Sequence, residues 1–159
     1  MTHVTELTDK DRWNTPAWLI DLITEHVPLT LDPCAGSDTS HARTNYRLED
    51  GQNGLEQPWF GNVWVNPPFS DKRPWLDRAV NQVTQNDVAR VFVLTPDSTD
   101  VQSWWHNSIV PTADYVWFSE GRVAYINPET GEQADSPPHG TAVSMFTADG
   151  YEIPTPVLD

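Results

Sequence analysis

The sequence predicts an α/β fold: a mostly parallel sheet with helices on both faces, finishing at one edge in a C-terminal antiparallel strand pair. Three observations carry this expectation. Between residues 29 and 109, β-rich runs alternate with segments whose apolar residues recur at helical spacing, the pattern of strands covered by helices. A short apolar run over 63–65 stops at Pro67 and Pro68, which fix φ and offer no N–H, so a strand must end there. Late in the chain, β-rich runs over 122–126 and 141–147 flank a Pro/Gly-rich loop over 127–140, which reads as an antiparallel pair.

Residues 1–11 are polar and acidic and read as a loose leader. Thr15 then suits a helix N-cap and Pro16 the first helical position, and Trp18, Leu19, Leu22 and Ile23 recur at helical spacing until Val27 and Pro28. A β-like run over 29–32 enters a tight turn of small residues, Asp32-Pro33-Cys34-Ala35-Gly36. Small residues let a ligand approach the backbone closely, and a carboxylate where the strand opens can hold an ammonium group. Cys34 reads as a small buried residue, since no His or basic partner adjoins it. Residues 37–61 are polar, with turn-forming Asp50-Gly51 and Asn53-Gly54 pairs.

The strand over 63–65 hands the chain to Asn66. A residue before proline is pushed out of the helical region, so Asn66 is held extended at the C-terminal end of a strand, with Pro67, Pro68 and Phe69 behind it. Open α/β sheets bind ligands at that edge. Residues 74–83 follow as a helix with Trp75, Leu76, Ala79, Val80 and Val83 on its apolar side. A buried strand over 89–96, a helix over 99–109 and a strand over 113–119 come next. The tail over 148–159 reads as surface, and the whole of 1–159 as one domain.

Composition bounds the function. The chain has 159 residues and one cysteine, so it forms no internal disulfide and suits a reducing cytoplasm, that of the host cell if the protein is viral. No apolar run is long enough to span a membrane. The five histidines, at 3, 26, 41, 106 and 139, show no metal-ligand spacing, and neither a phosphate-loop lysine motif nor a nucleophile elbow is present. Trp104 and Trp105 read as core plus one exposed ring. The net charge is −14, from 23 acidic against 9 basic residues, with Lys10 and Lys72 the only lysines. Such a balance argues against binding phosphates in low salt. It also resembles the acidic, Lys-poor proteins of salt-in halophiles, where a Debye length of about 3 Å screens self-repulsion.

Thr15-Pro16 ahead of a helix, the Asp32-Pro33 loop with Gly36, and Asn66-Pro67-Pro68-Phe69 at a strand end together resemble the S-adenosylmethionine-dependent amino-methyltransferases. In this order, over about residues 12–147, they resemble the small phage-encoded DNA N6-adenine methyltransferases. The resemblance implies a Rossmann-like methyltransferase fold and S-adenosylmethionine as cofactor, bound by Thr15, Pro16, Asp32, Pro33, Ala35 and Gly36, with Asp50 against the ribose. It implies DNA as partner, with the target adenine flipped out of the duplex, and neither metal nor membrane. Asn66 through its side-chain oxygen and Pro67 through its carbonyl accept the two hydrogens of the amine, Pro68 stiffens the turn, and Phe69 stacks on the base. Asp38 stands where the longer Gly-rich form of the loop has a second glycine. Cytosine N4 and glutamine amides are alternative acceptors for the same motif, and a catalytically silent interaction protein can keep the same fold.

Overall fold

The computed structural model of the protein describes residues 13–37, 39–85, 87–133 and 139–148. The expected leader over 1–11 and nearly all of the tail over 148–159 lie outside the described residues. The strands are β1 (Leu31–Asp32), β2 (Thr44–Asn45), β3 (Gly61–Val65), β4 (Val88–Pro96), β5 (Tyr115–Phe118) and β6 (Thr141–Thr147). They form one sheet in the order β2-β1-β3-β4-β6-β5. The first four are parallel, and β6 runs antiparallel to both β4 and β5.

Side-chain alternation along the strands decides which layer each helix covers. Val63 and Val65 of β3, with Val91 and Val93 of β4, are fully buried in one cluster with Leu76 and Ala79 of α2 (Arg73–Gln82) and with Trp104, Trp105 and Ile109. The intervening Trp64, Phe92 and Leu94 pack with Leu19, Ile20 and Ile23 of α1 (Ala17–Thr24) on the other face. Helices on both faces of a mixed sheet are thus the expected architecture. Among the described residues, no helix is long and apolar enough to cross a membrane.

Several local expectations are corrected. Pro16, not Thr15, is the N-cap of α1, which ends at Thr24, and its buried face is Leu19, Ile20 and Ile23 while Trp18 is exposed. The helix expected over 99–109 is a π-helix, Gln102–Ile109. Its wider winding shows in the N–H groups of His106 and Val110, which bond to carbonyls five residues back. Trp104 and Trp105 are both buried. Residues 122–126 form no strand: Ile126 instead exchanges two backbone hydrogen bonds with Asn14, at 2.8 and 2.9 Å. The antiparallel partner of β6 at the sheet edge is therefore β5, whose Tyr-Val-Trp-Phe sequence is the stronger strand former. β2, within the stretch expected to be loop, is only two residues long and carries no readable period.

Candidate active site

The C-terminal ends of β1 and β3 and the segment leading into α1 meet at one edge of the sheet. With the residues that follow β2, they wall a cavity of about 740 Å³, the size of a small-molecule site. β1 delivers Asp32 to it, β3 delivers Asn66 through its abrupt proline stop, and the segment before α1 delivers Trp13, Asn14 and Thr15.

Asp32 is buried, and its Oδ1 accepts the Cys34 N–H at 3.0 Å. Burial pushes its carboxyl up to about 7, against the Cys34 hydrogen bond and the nearby Arg47 charge, which both pull it down. Arg47 also ties the small-residue loop together. Its Nε donates to the Gly36 carbonyl at 3.2 Å, and its guanidinium reaches the Thr39 carbonyl and the Ser40 hydroxyl. Behind the loop, a Cβ on Gly54 would overlap the Pro33 carbonyl oxygen, so only glycine lets the two backbones pass. The Gly54 carbonyl is held in turn by Trp59 Nε1 at 2.7 Å. Burial lowers the pKa of His41 in the cavity wall, which favours its neutral form.

Asn66 is half-buried, and its Nδ2 donates to Thr15 Oγ1 at 3.1 Å and to the Trp13 carbonyl at 3.4 Å. Pro67 and Pro68 are buried, and a 3-10 turn, Phe69–Asp71, follows. Lys72 folds back to donate to the Phe69 carbonyl at 2.9 Å while its ammonium sits 4.6 Å from the centre of a Trp104 ring. The Phe69 ring lies outside the cavity wall. It stands edge-on to Tyr125 at 6.0 Å and to His139 at 5.5 Å, and His139 lines a second, open and polar cleft of about 530 Å³ with Asp97 and Arg122.

Of the residues singled out from sequence, Thr15, Asp32, Pro33, Ala35, Gly36, Asn66 and Pro68 come together around the one cavity. Pro16 and Pro67 are buried and set the backbone without lining it. Asp50 is exposed and off the cavity, whereas its neighbour Glu49 is in the wall, as are Asp32 and Glu129. The reason is the phase of the short 3-10 turn Leu48–Asp50, closed by Gly51 at a φ of 77°.

Two further residues escape the sequence reading. Arg47 gives no signal, because its work is done on backbone carbonyls of a loop earlier in the chain. Trp64 has one: it precedes Asn66 by two residues, and therefore shares its sheet face. Its indole Nε1 is buried without a hydrogen-bond partner among the described residues, and the residue lines the cavity. A buried donor left unpaired costs about 1–3 kcal/mol, which a ligand acceptor would recover. The wall thus offers a buried carboxyl for a cation, an unpaired N–H for an acceptor and a Glu49 carboxylate for hydroxyls. That set fits an amino acid joined to a nucleoside. Among the described residues, no group of three or more His, Cys, Asp or Glu is placed to hold a metal ion.

A family model described as DNA N-6-adenine-methyltransferase (Dam) matches residues 2–153. The chain is 30% identical over 134 residues to the DNA N-6-adenine-methyltransferase of Haemophilus phage HP1, covering 82% of this chain and 75% of that one. It is 24% identical over 154 residues to the DNA N-6-adenine-methyltransferase of Escherichia phage T1, covering 86% of this chain and 63% of that one. Among solved structures, a Pyrococcus horikoshii protein described as an RNA methyltransferase superposes with a TM-score of 0.55 at 11% identity, covering 93% of this chain and 92% of that one. At that identity the likeness concerns the fold alone.

Proposed function

Because the chain belongs to the DNA N-6-adenine-methyltransferase (Dam) family, we propose that it moves a methyl group from S-adenosylmethionine to the N6 amine of a flipped adenine in DNA, with the roles divided on either side of Asn66. The observation that carries this reading is the anchored Asn66 amide, which lines the cavity at the end of a strand, three residues before Phe69. When bound, S-adenosylmethionine supplies a methyl carbon made electrophilic by its sulfonium. Asp32, ionised, holds the ammonium of the methionine moiety, and Trp64 Nε1 donates to an acceptor on the same molecule. The ribose hydroxyls fall to Glu49, which lines the cavity, in place of Asp50, which does not. Thr15, Pro33, Ala35 and Gly36 shape the remaining wall, with Pro16 fixing the backbone beside Thr15.

The exocyclic amine is a poor nucleophile because its lone pair is delocalised into the ring. Asn66 Oδ1 and the Pro67 carbonyl accept its two hydrogens, which favours a tetrahedral nitrogen whose lone pair is free to point at the methyl. Pro68 keeps this geometry rigid. Phe69 stacks on the base, which must leave the duplex to reach the site. The cleft lined by His139, whose ring meets Phe69, shares no lining residue with the cofactor cavity and would offer the base its own approach. Neither carbonyl oxygen is basic enough to keep a proton, so the hydrogen shed after transfer passes to water. Incubation with methyl-labelled cofactor, unmethylated DNA and added protein is expected to place label in DNA; label only in protein would move the reading to amide methylation.

The charge also receives a functional reading. With 23 acidic residues against 9 basic ones, the chain repels both itself and phosphates at low ionic strength. We assign this composition to a high-salt solvent, where the Debye length falls to about 3 Å while stacking and base-edge contacts persist. Melting temperature and methyl transfer are both expected to rise from about 0.1 M to above 1 M potassium chloride, against the usual salt weakening of DNA binding. A protein most stable and most active at 0.1 M would overturn this assignment.

A further inference from the structure

A primary amide has two faces that differ chemically, and catalysis by Asn66 needs its oxygen, not its NH2, turned towards the substrate amine. The surroundings of Asn66 settle which way it turns. Its Nδ2 lies 3.4 Å from the Trp13 carbonyl, a group that can only accept, and 3.1 Å from Thr15 Oγ1. An amide flipped by 180° would set oxygen against the Trp13 carbonyl oxygen with no hydrogen between them. The two contacts therefore direct both amide hydrogens towards one segment and leave Oδ1 turned from it.

That segment is itself anchored. Asn14, between the two acceptors, exchanges backbone hydrogen bonds of 2.8 and 2.9 Å with Ile126, and Pro16 follows with its φ fixed at −66°. Thr15 is 4% exposed, so no bulk water replaces its hydroxyl. The position before a helix suggests a cap, yet Pro16 occupies the N-cap with no side-chain cap bond. The hydroxyl is thus free of that duty and committed to an amide 51 residues away in sequence.

We propose that Thr15 is a positioning residue for methyl transfer: its Oγ1, with the Trp13 carbonyl, sets the flip of the Asn66 amide and so presents Oδ1 to the amine. The proposal rests on the catalytic reading of Asn66. Removing the Thr15 acceptor leaves the weaker Trp13 contact alone to hold the amide, and it rotates. The loss falls on the chemical step, because Oδ1 is then no longer held in the direction of the amine.

The test compares Thr15→Val, which keeps the shape and removes the acceptor, with Thr15→Ser, which keeps the acceptor, in the full chain. Thr15→Val is expected to lower kcat by about 10- to 100-fold, the scale of an angstrom-level misplacement, with cofactor Kd and DNA KM within about threefold. Thr15→Ser is expected to restore kcat to within about threefold of the parent protein, and in an Asn66→Ala background Thr15→Val should cost no more than about twofold further. Equal kcat in Thr15→Val and the parent protein overturns the proposal. So does a loss that appears in cofactor Kd instead of kcat, or one that adds in full to Asn66→Ala, since Thr15 would then act on something other than Asn66. Parent-level turnover by Asn66→Ala alone would overturn the catalytic reading of Asn66 and this proposal with it, whereas a large Asn66→Ala effect beside a silent Thr15→Val would remove only the proposal.

Discussion

Asn66→Ala is expected to lower kcat for methyl transfer by about 10²–10³-fold, the range found when one preorganised group at a developing charge is removed. The cofactor Kd should move by less than about threefold, because the substitution leaves the Asp32 and Trp64 wall in place. β3 ends at Val65 because two prolines follow, so Asn66 cannot drift into a helix or continue the strand. Its amide is then the one side-chain acceptor that this strand end presents beside the Pro67 carbonyl. Losing it leaves the amine's lone pair conjugated with the ring, while the fold, whose core lies in the layers above and below, is kept. Single-turnover rates beside calorimetric Kd values separate the two effects. An equal loss in both would mean that Asn66 serves binding and not chemistry.

Asp32→Ala is expected to act on binding. Truncating one partner of a buried, hydrogen-bonded charge pair costs about 2–5 kcal/mol, or at least about 30-fold in Kd. The pH dependence gives a second signature. The Asp32 carboxyl is pushed up to about 7 by burial, above the unfolded value of 3.8. Without ligand the folded state therefore favours the protonated acid, and the stability this contributes is full below the unfolded pKa and is lost as pH rises through about 7. Binding a cation needs the ionised form. Cofactor affinity should thus climb about tenfold per pH unit below 7, level off above it, and release close to one proton per molecule bound at pH 5.5. Asp32→Asn should flatten both the binding profile and its share of the stability profile. Affinity unchanged between pH 5.5 and 8 in the unsubstituted protein would show that Asp32 does not face the cation.

What could be read from the sequence was what short-range sterics decide. Pro67 and Pro68 determine where β3 stops and restrict the backbone of Asn66, without reference to any distant residue, and the strand end stands as the residues imply. The same holds for the small-residue turn after Asp32. What could not be read depends on partners far along the chain. Thr15 carries the composition of a helix cap, and only the fold shows its hydroxyl spent on Asn66. Residues 122–126 have the composition of a strand, but Ile126 pairs with Asn14, and a run of β-forming residues cannot say whether its neighbour is a strand or the chain's other end. Between Asp50 and Glu49 the difference is one residue of phase in a short turn, below the resolution of any periodicity. The charge on Asp32 was visible as a residue type; its raised pKa is a property of the burial around it.

The most direct measurement is the identity of the methylated nucleoside. DNA incubated with the protein and methyl-labelled S-adenosylmethionine at high salt, then digested to nucleosides and resolved by chromatography, is expected to carry its label in N6-methyl-2′-deoxyadenosine alone, and to carry about 10²–10³-fold less when Asn66→Ala replaces the parent protein at equal time. Label in N4-methyl-2′-deoxycytidine, or label in adenine that survives Asn66→Ala undiminished, would contradict the account.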